Sequence, residues 1–311
     1  MKKTYLLLGL VAALAGCQRA ENPHLRKTDL KIISPTGAPA ISMYNFTNGL
    51  TTITNPQLEL MPQFKKGEFD IIVAPAKGGL TQITKNAAEY KMAAVVTFGN
   101  FALVKVNPND EELSAGDNVV YFQKEDIPGS VFSYLYGDLG LNLYDVADAS
   151  KTGPVLNTGT IKIDEETINV DYVFSAEPVI SNLKKSDLVV ERASDAFTRK
   201  TGGKRIIQAA VFVKNDLEEV KVNDFLTLLQ DDITKGVANY KNIVKTMNIY
   251  GVSEEQKALY GFDSTTISAC MSSYNGLGLG YVRAKENKEE IEYFVNDILN
   301  SGLTITDEAY F

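Results

Sequence analysis

The side chains that most often carry chemistry are scarce in this sequence. Its only histidine is His24, and its only cysteines are Cys17 and Cys270. Zinc sites take sets of His and thiolate ligands, and nucleophilic catalysis needs a base beside the nucleophile. His/Cys zinc sites and Ser-His-Asp or Cys-His arrangements are therefore excluded, and no metal or cofactor is expected. What is left is a series of backbone-rich tips that follow apolar runs. FDIIVAPAKGGL (69–80) ends in a proline, a lysine and two glycines, and DYVFSAEPVISNL (171–183) ends in small residues, Glu177 and Pro178. SPTG (34–37) and PGS (128–130) sit in similar places. Open α/β sheets bind ligands at the carboxyl ends of their strands, where loops and helix starts offer unpaired N–H groups.

The candidate site residues follow from that placement. Thr36, Gly37, Ala38, Pro75, Ala76, Gly78 and Gly129 form the tips, and Ser42, Asn100 and Ser130 are neutral donors. Lys77 would bring positive charge to an anionic ligand. Tyr121, with Phe101 and Tyr274, could stack on a flat one. Ser272, Ser273 and Asn275 would add a C-terminal contribution, and Glu177 would accept hydrogen bonds. Each has a plainer alternative: glycines make tight turns, loop lysines are exposed and aromatics are core, and Glu177 could simply favour a helix start through the dipole.

The elements that must position these residues are legible as alternating strands and helices, the pattern of doubly wound α/β sheets. The spacing predicts strands at Leu30–Ile33, 69–73, 101–106, 118–123 and from Ile206, the last pairing with 101–106. The acidic tract 107–118 is the expected crossover, and 194–204 is expected to be flexible and basic. Beyond 222 the chain reads as amphipathic helices. A length of 311 residues suits about two domains, and 44% hydrophobic residues can bury sizeable cores.

MKKTYLLLGLVAALAGC opens with two lysines and an apolar stretch too short to span a bilayer comfortably. It reads as an export signal whose Leu14–Cys17 end has the form of a bacterial lipobox. Residues 1–16 would be removed, Cys17 lipidated, and 17–29 left as a polar tether. Cys270 is then the sole thiol, so no intrachain disulfide forms. Loss of Lys2 and Lys3 takes the balance from 31 basic against 39 acidic side chains to 29 against 39, a net −10. That acidity argues against nucleic acid and against broad docking on anionic lipid.

The order of these motifs resembles bacterial ABC-transporter substrate-binding proteins of the type II periplasmic-binding fold, in the branch of nitrate, sulfonate, taurine and thiamine-pyrimidine binders. It rests on the lipobox, TGAPA after the first strand, GEFDIIVAP, IPGSVFSYLYGDLGL, VDYVFSAEP and the closing NKEEIEYFVNDIL. The resemblance implies two lobes, each a mainly parallel sheet flanked by helices, joined by two crossover strands. One lobe would comprise 30–107 and 206–311 and the other 108–205, with hinges near 104–110 and 205–211. It implies a monomeric receptor, lipid-anchored at Cys17 on the extracytoplasmic face of the cell membrane, that holds a small organic, anionic or heterocyclic solute between its lobes and delivers it to an ABC permease. The tips carry no Arg or Ser cage of the sulfate or phosphate kind, so a bare oxyanion is disfavoured. A chorismate-dehydratase-like enzyme, with Glu177 as base, and a surface lipoprotein with a vestigial cleft are the alternatives.

Overall fold

The computed structural model describes residues 25–108 and 112–311, so the leader, Cys17 and His24 lie outside the described residues. Thirteen strands run in chain order as β1 (Ile32–Pro35), β2 (Leu50–Ile53), β3 (Ile71–Pro75), β4 (Tyr90–Thr97), β5 (Phe101–Lys105), β6 (Asn118–Phe122), β7 (Asn142–Val146), β8 (Thr160–Ile163), β9 (Glu166–Asn169), β10 (Tyr172–Ala176), β11 (Val189–Arg192), β12 (Ala209–Lys214) and β13 (Leu279–Arg283). They form two sheets, β13-β4-β12-β3-β1-β2 and β11-β5-β10-β6-β7, with β8 and β9 a separate hairpin. Helices flank both sheets, which is why the inner strands are apolar on both faces. β3 and β12 are buried almost end to end. This is a two-lobe α/β architecture.

Both sheets are mixed, and the reason is the crossing. β1, β2 and β3 are parallel, whereas β12 lies antiparallel between β3 and β4. In the second sheet β10, β6 and β7 are parallel, and β5 runs against β10 and β11. The interior strands β5 and β12, each antiparallel to both its neighbours, are those that enter each sheet directly from the other lobe; the edge strand β13 is also antiparallel to β4.

The expected pairing of 101–106 with the strand after Ile206 does not occur. Phe101–Lys105 lies in the second sheet, and Ala209–Lys214 pairs with β3 and β4. The chain therefore crosses first at 98–100, and the expected crossover tract follows β5 within the second lobe. A run that continues apolar through a two-residue break gives no sequence sign that it has changed sheets. The segment 194–204 is likewise ordered: Ala193–Thr201 is a helix with Phe197 fully buried, ended by the left-handed Gly202.

The lobes are packed together. One continuous apolar cluster includes Ile72 and Phe212 of the first sheet and Phe101, Leu103 and Phe174 of the second. The C-terminal helix Lys288–Tyr293 and the turn after it bridge the two, with Phe294 edge-on to Phe197 at 5.7 Å between ring centroids. Arg26 is held at the surface of the first lobe, its Nε and Nη2 each 2.6 Å from the carboxylate of the buried Asp232 on the helix Glu219–Ala238. The final residues of the expected tether are thus part of the fold.

Candidate functional site

Strand register brings the polar ends of the second lobe together. In the pairing of β10 and β11 with the intervening β5, Ala176 lies opposite Phe101 and Arg192 opposite Ala102. Glu177 and Arg192 therefore flank the start of β5, two strand spacings or about 10 Å apart. Both stand at the carboxyl ends of their strands and face the loop 272–278 of the first lobe, which connects the helix Ser264–Met271 to β13.

Glu177 is 4% exposed, and both of its oxygens are occupied. Ser181 donates its N–H to Oε2 at 3.0 Å and its hydroxyl to Oε1 at 2.9 Å. From the first lobe, the Tyr274 hydroxyl donates to Oε1, and the Cys270 thiol lies 3.7 Å from Oε2. The carboxylate thus caps the short helix Val179–Asn182 and also joins the lobes. A buried carboxylate requires donors of this number. Burial first, and then the hydrogen bond to this carboxylate, push the Tyr274 phenol up, while Arg192 acts in the opposite sense. Burial and the Glu177 charge push the Cys270 thiol up as well.

The other face of Tyr274 carries the Arg192 guanidinium, 3.1 Å above the ring centroid. Such a stack is favourable when desolvated. The Nε of Arg192 is buried and has no hydrogen-bond partner among the described residues. Gly99, Asn100, Ser194 and Gly276 line the same small cavity, which holds about 10 Å³, space for one water-sized molecule.

The crossing segments support this site from behind. Asn100 donates to the Glu177 carbonyl at 2.8 Å and accepts from Gln208 Nε2 at 3.2 Å, while Gln208 Oε1 accepts the Gly99 N–H at 3.1 Å. Gly278, at φ 61°, lies so close to the Gly99 carbonyl that a Cβ there would sit 2.3 Å from its oxygen. Both crossings are clasped at one point.

Of the residues chosen from the sequence, Asn100, Glu177 and Asn275 meet here, with Phe101 and Tyr274 among the stacking candidates. Asn275 is engaged with its own loop, donating to the Leu279 carbonyl at 2.5 Å and accepting its N–H at 3.1 Å. The first tip is covered by its own lobe: Thr36 and Gly37 donate their N–H groups to Ile53 and Tyr260, and the Ser42 hydroxyl donates to Pro39, beside the buried Ala38.

At the second tip, the strand runs to Pro75 and the helix Ala76–Asn86 starts at once. Lys77, Gly78 and Gly79 are its first turn, where a turn leading into the helix was expected. The Ala76 N–H donates to Gln208, Lys77 Nζ donates to the Leu299 carbonyl at 3.1 Å, and Gly78 lies beside Met61. At the third tip, Gly129 and Ser130 belong to the helix Ile127–Tyr136, with their N–H groups bonded to Gln123 and Asp126. Tyr121 is core, stacked on Phe132 at 4.8 Å, and Phe101 is buried as well. Ser272 and Ser273 are exposed.

Sequence reasoning missed Arg192 and Ser194. The signal was available in VVER, an arginine closing an apolar strand as Glu177 closes another. A second, larger cavity of about 410 Å³, lined by Asn107, Thr158, Asn169 and Asp171, lies at the opposite end of β10. No set of three or more His, Cys, Asp or Glu able to hold a metal ion occurs among the described residues, and no helix among them is long and apolar enough to cross a membrane.

This architecture is the two-lobe fold of periplasmic solute-binding proteins. The chain superposes on an ABC transporter protein from Parabacteroides distasonis with a TM-score of 0.66 at 16% identity, over 92% of this chain and 99% of that one. The alkanesulfonate-binding protein SsuA of Xanthomonas axonopodis pv. citri, bound to MOPS, matches at a TM-score of 0.53 and 12% identity over 91% and 97%. The aliphatic sulphonate binding protein SsuA of Escherichia coli matches at 0.55 and 8% over 91% and 93%. The desulfurization enzyme DSZB shares the fold, at 0.54 and 10% over 90% and 96%. No protein-family model matches the sequence, and no curated protein matches it.

Proposed function

We propose that this protein is the lipid-anchored, extracytoplasmic substrate-binding component of an ABC importer, and that it captures a small organic solute between its lobes. The observation that carries the reading is the cluster of Glu177, Arg192 and Tyr274, in which two strand ends of one lobe meet a loop of the other. Lobe closure around a solute gives buried hydrogen bonds without covalent chemistry, and the sulfonate-binding neighbours use this fold. Cys17 would hold the receptor at the membrane as a monomer, and 98–100 with 202–208 would serve as the hinge between one lobe of 30–97 and 209–311 and another of 101–201. The enzyme reading has DSZB in its favour on fold alone. The one thiol near this site is buried and held protonated by its surroundings, which suits packing and not nucleophilic attack.

The test is a thermal-shift screen of residues 25–311 against alkanesulfonates, nitrate, carboxylates and pyrimidines, with mass spectrometry of each hit after extended incubation. A ligand that binds only the folded state raises the melting temperature. A hit recovered unchanged supports the receptor, and a converted hit supports an enzyme. Loss of membrane association in Cys17→Ala tests the anchor.

A further inference from the structure

We infer that Tyr274 holds the place of the ligand, and that the solute is a small flat ring carrying a hydrogen-bond donor, as in a phenol or an aminopyrimidine. The inference rests on the receptor reading and narrows its ligand. The Tyr274 phenol is bound as a ligand would be, with a cation on its face and a buried carboxylate at its hydroxyl. Both groups come from the second lobe, whereas Tyr274 comes from the loop 272–278 of the first. The cavity beside it has room for about one water. A ring-sized solute therefore enters only where Tyr274 leaves.

What Tyr274 vacates defines the chemistry of its replacement. Glu177 Oε1 loses a donor while still buried and accepting from Ser181, so the solute must present an O–H or N–H there. The guanidinium loses an aromatic face, which another π-system replaces. A donor-free anion supplies neither. The Arg192 Nε–H, buried without a hydrogen-bond partner among the described residues, is placed for an acceptor atom on the same ring. Ring nitrogen or carbonyl oxygen would serve.

The arrangement also makes Tyr274 a competitor. Solute binds the fraction of molecules in which the loop has swung away, so the apparent affinity is reduced by that fraction. Removing the competitor should tighten binding of a true ligand.

Calorimetry on residues 25–311 tests this with phenol, 4-aminopyrimidine, 4-(dimethylamino)pyrimidine and methanesulfonate. The expected result is binding of the first two, about tenfold or more weaker binding of the donor-free pair, and about tenfold tighter binding of 4-aminopyrimidine by Tyr274→Ala. Arg192→Gln, which leaves the Glu177 contacts in place, should lose ring binding. Binding of methanesulfonate with no ring binding would overturn the inference and leave the receptor standing. Equal binding of the amino and dimethylamino compounds would overturn the role of Glu177. Failure of all probes, together with an empty broader screen, would overturn both readings.

Discussion

The hydroxyl of Tyr274 donates to the carboxylate of Glu177, 97 positions earlier in the chain, and this bond joins the two lobes beside their crossing strands. Glu177→Ala removes an acceptor shared by Ser181 and Tyr274 and leaves the buried Ser181 donors and the half-buried Tyr274 hydroxyl without it. A loss of about 2–3 kcal/mol in urea unfolding is expected, with Glu177→Gln milder because one oxygen is kept. Weaker ligand binding by Glu177→Ala in calorimetry would place the carboxylate in the solute site. Unchanged affinity would leave it a latch alone.

Cys270 should be inert in the native protein. It is fully buried, and burial together with Glu177 disfavours its thiolate. A thiol-reactive chromogenic disulfide should label residues 25–311 only after denaturation, with one thiol per chain. Rapid native labelling would mean that the lobes part readily at this contact.

Arg26 should contribute to stability although it lies near the start of the described fold. Its guanidinium forms a two-point contact with Asp232, which is 3% exposed. Arg26→Ala strands a buried carboxylate, at a cost of about 3 kcal/mol, and a form beginning at residue 30 should melt lower than one beginning at 25. Equal melting temperatures would show the pair to be dispensable.

Alkaline pH should destabilise the protein in part through Tyr90. Its hydroxyl donates to the Phe69 carbonyl at 2.6 Å, and burial, followed by Asp70 and Asp216, pushes its ionisation up to about 12. The unfolded chain titrates near 10. The folded state thus favours the protonated phenol, a contribution fully present below about pH 10 and lost as pH rises through about 12. Urea midpoints measured between pH 9 and 12 should fall less steeply for Tyr90→Phe than for wild type. Parallel curves would assign the decline to other tyrosines.

The sequence signals were reliable where they depended on local chemistry. Alternating apolar runs and turns gave β3, β5, β6, β10 and β12 to within a few residues and the α/β class with them, while the two lobes were what the family resemblance implied. Gly140 and Pro39 fell at helix ends, where a left-handed φ is tolerated and a missing N–H costs nothing. Lys77 and Gly79, read as a turn ahead of the helix, are instead its first turn. Gly79 is glycine because the Phe212 ring would lie 2.2 Å from a Cβ, a requirement set by a strand more than a hundred residues away. VVER marked Arg192 as a strand-end residue, but nothing near it in the chain announces Tyr274.

By itself, the sequence determined where the main buried strands lie and that the chain is α/β, which chemistries are impossible with one histidine, and that Glu177 closes a buried strand. Those properties depend on residue type and short-range periodicity. Only the tertiary structure decided that 101–105 changes sheet, that the first and third tips are satisfied within their own lobes, and that Glu177 and Arg192 converge on Tyr274. Sheet partners and hydrogen-bond partners are chosen by burial across long stretches of chain, where an unpaired polar group is costly and any of several tips could have supplied the match.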